Sequence, residues 1–240
     1  MDTETEAAAP AVAAASNPPP LHRRVLDTLV APGELFATFR EKTPWIGALS
    51  ISMAAGLAIA LLIPGELLEP EAARSLGDAD PQAGGAADPA EMANFMRASL
   101  VVGALVFTPI LAFAAAGLVA LVFNLFLGGE ARYKQYLAVS THGLLITSLG
   151  GLLTLPLQIA RGDVQTQLSL SLLTPFLDRD GFLFGFLQGM NVFTLWMIVL
   201  LALGVSVLNR GRSWGSASAI LLGVYAVLTS VFAGVGALMS

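Results

Sequence analysis

Five long apolar stretches dominate this chain of 240 residues and limit what it can fold into. They cover approximately residues 45–63, 99–127, 137–160, 185–208 and 214–238. A transmembrane helix needs roughly 20 mostly apolar residues to cross a hydrocarbon core about 30 Å thick, and all five stretches are of that order. Only 12% of the residues are charged, against about 25% in a typical soluble domain. The sequence therefore predicts an all-α, polytopic membrane protein, a bundle of five transmembrane helices.

The chain before the first span divides into two regions. Residues 1–20 are rich in alanine, proline and acidic residues, a composition typical of a disordered tail. In residues 21–43 apolar side chains share helix faces beside Arg23, Arg24 and Arg40. This pattern favours amphipathic helices in the headgroup region of an anionic leaflet, and the alternative is a connector packed on the bundle. The remaining residues, 44–240, are predicted to form the membrane domain.

The segments between the spans are interpreted as extramembrane connections. The stretch from Gly65 to Ala98 contains seven acidic residues together with Gly and Pro, and predicts a flexible acidic loop. Residues 161–180 form a second such stretch. The short basic turn from Asn209 to Arg212 predicts an antiparallel hairpin of the last two spans. Pro109 predicts a kink in the second span.

The distribution of basic residues predicts the orientation. With a cytoplasmic N-terminus, eight of the 12 basic residues lie in inside segments and four lie outside. This distribution agrees with the positive-inside rule. We therefore expect the N-terminus in the cytoplasm, the C-terminus outside, and a location in the bacterial inner membrane.

Known catalytic patterns are missing from the sequence. It has two histidines and no cysteine, and it contains no zinc-protease motif, nucleophile elbow or phosphate-binding glycine loop. We expect no enzymatic activity, no catalytic residue, no metal, no cofactor and no nucleic-acid partner. The expected partners are membrane lipid and either other membrane proteins or further copies of the chain.

Four polar residues in or near the spans are the candidate site residues: His142, Asn124, Gln188 and Asn191. Ionisable residues at membrane depth are functional candidates, but such side chains more commonly form hydrogen bonds between helices. The spans contain no acidic partner for His142, which argues against a proton relay.

Small residues recur at intervals of four in three spans, which predicts flat helix faces that let backbones approach closely. These faces are Ser52, Gly56 and Ala60; Ala112, Ala116 and Ala120; and Ala219 with Gly223. Such faces either build the bundle or bind a partner helix, and packing within the bundle is favoured.

The amphipathic lead with Pro32 and Phe36, the five spans, and the stretch from Gly128 through Tyr136 to Pro156 resemble the Yip1 domain family. The resemblance covers about residues 25–238. It implies a five-span protein with a cytoplasmic N-terminus. The chain lacks the Asp-Leu-Tyr-Gly-Pro signature of the eukaryotic branch, so a role in Rab GTPase binding is not implied.

Two functions fit these features best, and an enzyme that acts on lipid is the least favoured third. The first is a non-enzymatic scaffold or adaptor that binds other membrane proteins or organises lipid through small-residue faces and the N-terminal region. The alternative is an oligomeric permease or channel with a path lined by the four polar candidates. Five spans are few for a self-contained transporter, and no inverted repeat is evident.

Overall fold

A computed structural model describes residues 17–77, 88–179, 181–209 and 211–239. Most of the tail predicted to be disordered, residues 1–16, lies outside these ranges. Within them the fold is helical, which confirms the all-α prediction. The helices are α1 (Leu21–Val30), α2 (Pro32–Thr38), α3 (Trp45–Leu62), α4 (Gly65–Gly77), α5 (Pro89–Val102), α6 (Thr108–Ala120), α7 (Tyr133–Arg161), α8 (Phe182–Gly189), α9 (Val192–Leu208) and α10 (Trp214–Met239).

Four helical segments among the described residues are long and apolar enough to cross a membrane. They are α3, the continuous helix Pro89–Phe126 that contains α5 and α6, α7, and α10. The predicted fourth span differs from the prediction because it is divided between α8 and α9. Helix α9 alone has 17 residues and is about 26 Å long at 1.5 Å per residue, slightly less than the hydrocarbon core.

Helix α7 is the centre of the bundle. It packs against α3, α6 and α9, and its residues 135–146 are all buried. Small side chains permit this close packing: a Cβ atom added at Gly143 would lie 3.0 Å from Met197. In the most apolar 18-residue stretch of each helix, 39% of α7 is buried, against 11% of the peripheral α10. Most of the α10 surface therefore remains available to lipid or to a partner.

The acidic segment after the first span is largely helical, so the prediction of a flexible loop is wrong for its described part. Helix α5 begins at Pro89, and the Asp88 carboxylate accepts a hydrogen bond of 2.9 Å from the Ala90 amide. Buried Leu68, Ala72 and Ala93 pack α4 against α5. The apolar residues between the acidic ones thus form a small core of their own. Residues 78–87 lie outside the described ranges.

The long helix Pro89–Phe126 contains two π-helical stretches, Gly103–Phe107 and Leu121–Phe126. The first ends two residues before Pro109, and the Thr108 amide bonds to the Gly103 carbonyl. Since proline has no amide hydrogen and its ring clashes with the preceding turn, a wider turn before it relieves the conflict. The chain responds to Pro109 with this wider turn.

Candidate functional site

A buried polar network closes the end of the bundle at which α7 begins. The Tyr136 hydroxyl donates to Asn124 Oδ1 at 2.8 Å and accepts from Asn209 Nδ2 at 2.9 Å. Asn209 Oδ1 accepts from the amides of Glu130 and Ala131 at 3.1 and 3.3 Å. Two asparagines and one tyrosine thereby tie the turn before α7 to the ends of α6 and α9.

The same end of the bundle holds the N-terminal helices. Gln135 Oε1 accepts from the Arg132 amide at 2.7 Å, and its Nε2 donates to the Arg40 carbonyl at 2.8 Å. The Arg40 guanidinium donates to the Val207 carbonyl at the end of α9. Arg24 donates to the Pro44 carbonyl at 2.8 Å, and partial burial lowers the pKa of its guanidinium. These contacts join α1 and α2 to α7, α9 and the start of α3.

His142 lies under the segment that follows α2. Its side chain is fully buried, its Nδ1 is 2.7 Å from the Ala138 carbonyl, and its ring centroid lies 4.9 Å from that of Phe39. Nε2 has no hydrogen-bond partner among the described residues. Phe39 and Phe36, whose ring centroids lie 5.7 Å apart, are themselves fully buried. The N-terminal segment therefore covers His142.

Gln188 and Asn191 lie at the break between α8 and α9, at the opposite end of α7. Asn191 Oδ1 accepts from the Phe193 amide at 2.9 Å and caps α9. The Val192 amide bonds to the Leu168 carbonyl at 3.0 Å. Tyr225 of α10 donates to the Gly189 carbonyl at 2.6 Å. The polar backbone exposed by the break is thus satisfied by neighbouring segments, as membrane depth requires.

The four candidate residues do not form one cluster. Gln188 and Asn191 share the α8–α9 break, Asn124 is tied to the beginning of α7, and His142 lies between these levels. Asn191 lines a cavity with Gly150 and Thr154, about 20 Å along α7 from Tyr136 at 1.5 Å per residue. No group of three or more His, Cys, Asp or Glu side chains arranged to bind a metal occurs among the described residues.

Three residues that the sequence did not single out for this role organise the closed network: Tyr136, Asn209 and Gln135. The sequence indicated Asn209 only as part of a basic turn, and Tyr136 only as part of the stretch from Gly128 to Pro156 that resembles the Yip1 domain family. One signal was available, because Gln135 stands three residues after Arg132, where a side chain can cap a helix start. Tyr136 and Asn209 are 73 residues apart in sequence, so no local sequence pattern indicates that they pair.

The three small-residue faces have different environments. Ser52 and Ala60 are buried, and a Cβ added at Gly56 would lie 3.1 Å from Ala104. Ala112 and Ala116 are fully buried, in a helix that packs on α7. In α10, by contrast, Gly215, Ala219 and Gly223 are all exposed. A Cβ added at Gly215 or Gly223 would meet no atom of the described residues within 4 Å.

Comparison with known proteins confirms the resemblance. The Yip1 domain matches residues 26–235, nearly the whole chain. The chain belongs to the Yip1 domain family. It is an integral membrane protein, as the family and the apolar helices together indicate. It is also 34% identical over 108 residues to the membrane protein YknW of Bacillus subtilis strain 168. That match spans 45% of this chain and 46% of YknW, which is less than half the length of each. No solved structure matches the chain.

Proposed function

We propose that this Yip1 protein is a non-enzymatic membrane adaptor that binds a transmembrane helix of another membrane protein through Gly215, Ala219 and Gly223 of α10. The observation that carries the proposal is that this small-residue face is exposed, whereas the faces of α3 and α6 are occupied within the bundle. Small residues at intervals of four let two membrane helices approach closely and gain van der Waals contact.

The proposal includes five crossings. Helix α8 and helix α9 both pack against α10, and together they extend over residues 182–208, a length similar to that of α10. Taken as one broken span, they provide the fifth crossing. The N-terminus then lies on the same side as the turn between α9 and α10.

The proposed orientation places that side in the cytoplasm of a bacterium, with the protein in the inner membrane. Arg40, Arg132 and Arg212 support it, because Arg132 donates to the Arg40 carbonyl and Arg212 donates to the Leu127 carbonyl at the same end of the bundle. Clustered cationic side chains favour the cytoplasmic face and its anionic lipids. Leu26 and Val30 of α1 are exposed by 59% and 77%, which supports contact of this amphipathic helix with the membrane surface.

The test is to crosslink the tagged protein in its native membrane, purify it and identify the attached proteins by mass spectrometry. A reproducible, near-stoichiometric partner is expected from the wild type. Gly223→Leu should abolish its capture, because the bulky side chain prevents close approach. Gly117→Leu is the matched control: Gly117 also lies in a membrane helix, and an added Cβ there meets no atom within 4 Å.

Equal capture by the wild type and Gly223→Leu, at equal protein levels, would contradict the proposed face. Capture of only further copies of this chain would replace the adaptor function with self-association. The permease alternative has no comparable structural support, since its four candidate residues are distributed between opposite ends of α7.

A further inference from the structure

Two open cavities lie next to each other at the end of the bundle where α7 finishes. The first, of about 670 Å³, lies between α8 and α10, and we call it the α8–α10 cavity. The second, of about 450 Å³, lies within residues 161–188, and we call it the loop cavity. Gln167, Arg179 and Gln188 line both. The two cavities thus meet at these three polar side chains.

The chemical character changes across this boundary. The loop cavity is lined by polar side chains that include Arg161, Asp163 and Arg179, together with four apolar residues: Leu172, Pro175, Leu177 and Phe184. Beyond the boundary, the α8–α10 cavity is lined mainly by glycines and by apolar residues of α10, among them Phe232. Phe232 is 74% exposed on the surface of the bundle. The loop cavity is therefore the more polar of the two, and the α8–α10 cavity opens beside an exposed apolar side chain on the surface of the bundle.

The α8–α10 cavity adjoins an apolar groove of about 570 Å³ between α6 and α10, because Tyr225 and Leu228 line both. Along α10 the two spaces extend from Leu221 to Ala237, about 24 Å at 1.5 Å per residue. The hydrocarbon of one leaflet is about 15 Å thick, half of a core of about 30 Å. The apolar part is therefore long enough for an acyl chain.

The polar end contains opposite charges side by side. Arg179 and Asp163 are 3.7 Å apart, with side chains that are 64% and 25% exposed. An ion pair this exposed contributes about 0–1 kcal/mol, so a ligand that offers both charges can displace it at little cost. A guanidinium binds a phosphate well, and a carboxylate binds an ammonium. The pair matches a headgroup that carries both.

From this arrangement we infer a binding site for one zwitterionic glycerophospholipid. The headgroup lies in the loop cavity, with its phosphate on Arg179 and its ammonium on Asp163. An acyl chain runs through the α8–α10 cavity towards the apolar groove. The amides of Gln167 and Gln188, which form no side-chain hydrogen bond within the described part of the chain, face the ester region at the boundary. None of Gly215, Ala219 and Gly223 lines this site, so the site is independent of the adaptor face.

The test uses the full chain reconstituted in vesicles of phosphatidylethanolamine and phosphatidylglycerol. A trace of phosphatidylethanolamine carries a photoactivatable group in its acyl chain. After irradiation, mass spectrometry is expected to find lipid adducts concentrated on α8 and on α10 after Tyr225. Gly236→Phe fills the α8–α10 cavity at a position where an added Cβ meets no atom within 4 Å, and should lower these adducts about tenfold.

The matched control is Gly117→Phe, which leaves the adduct yield unchanged because Gly117 does not line these spaces. Asp163→Asn should remove most of the preference for phosphatidylethanolamine in competition with unlabelled phosphatidylglycerol, because only phosphatidylethanolamine carries the ammonium that Asp163 binds. Thermal unfolding in detergent verifies that each variant is folded. Adducts spread evenly over all lipid-facing helices and unaffected by Gly236→Phe would overturn the site, as would a wild-type preference for phosphatidylglycerol. Neither result alters the partner capture that tests the adaptor function.

Discussion

The two ends of the bundle differ in how their polar amide side chains are hydrogen-bonded. At the end where α7 begins, which we call the closed end, Asn209 and Gln135 use their amide oxygens and nitrogens for hydrogen bonds within the protein. At the end where α7 finishes, the open end, Gln167 and Gln188 line two cavities without side-chain hydrogen bonds among the described residues. An internally saturated polar group fixes structure, whereas an available one can bind a ligand. The difference suggests a rigid closed end and a binding-competent open end.

Of the variants that test this comparison, Asn209→Ala is expected to lower the free energy of unfolding the most. Asn209 forms hydrogen bonds with the amides of Glu130 and Ala131, the Tyr136 hydroxyl and the Val205 carbonyl. At about 0.6 kcal/mol for each hydrogen bond in a membrane protein, the variant should lose about 2–3 kcal/mol of unfolding free energy. Denaturant titration in detergent measures it. A loss below about 0.5 kcal/mol would show that the network does not stabilise the closed end.

A smaller effect is expected from Gln135→Leu, which removes the bonds to the Arg132 amide and the Arg40 carbonyl. The expected loss is about 1 kcal/mol, together with faster amide hydrogen exchange in α2. Lys134→Leu is the control, because the neighbouring Lys134 side chain is exposed and forms no hydrogen bond among the described residues. Unchanged exchange in α2 in the glutamine variant would mean that the buried Phe36 and Phe39 hold the N-terminal segment without Gln135.

The smallest effect is expected from Gln188→Leu at the open end. The stability should change by less than about 0.5 kcal/mol, because no side-chain hydrogen bond is lost. Gln158→Leu is the contrasting variant, since Gln158 Nε2 donates to the Val164 and Thr166 carbonyls at 2.8 and 3.2 Å, and about 1 kcal/mol should be lost. Equal destabilisation of the two variants would remove the distinction between a saturated and an available glutamine.

The sequence predicted those features that depend on composition and local pattern. The apolar stretches identified α3, α7 and α10, and the basic turn after Leu208 separated α9 from α10. The break at Met190 and Asn191 was missed, because Phe182–Gly189 is as apolar as the helix that follows. The acidic segment was misjudged because Pro and Glu suggested a loop, while Leu68 and Ala72 provided a buried face that only the contact with α5 reveals.

For the candidate site, the residue types in the sequence were informative, whereas the hydrogen-bond partners of those residues could not be predicted from it. Asn124 and Asn191 were selected as polar residues in apolar surroundings, and both form structural hydrogen bonds. The partners of Asn124 lie in the turn before α7 and in α7 itself, whereas Asn191 caps its own helix α9. The shared lining of the two cavities by Gln167, Arg179 and Gln188 depends on how residues 161–181 fold against α8, which no local periodicity encodes.

The π-helical stretches in the helix Pro89–Phe126 also affect how related sequences should be aligned. Each wider turn accommodates about one residue more than an α-helical turn, and one residue corresponds to about 100° of rotation. A relative with one residue fewer at Gly103–Phe107 can retain the packing of Ala112 and Ala116 on α7 simply by continuing as an α-helix. An alignment without a gap there would assign every later residue to a position about 100° away around the helix. It would then exchange lipid-facing positions for buried ones.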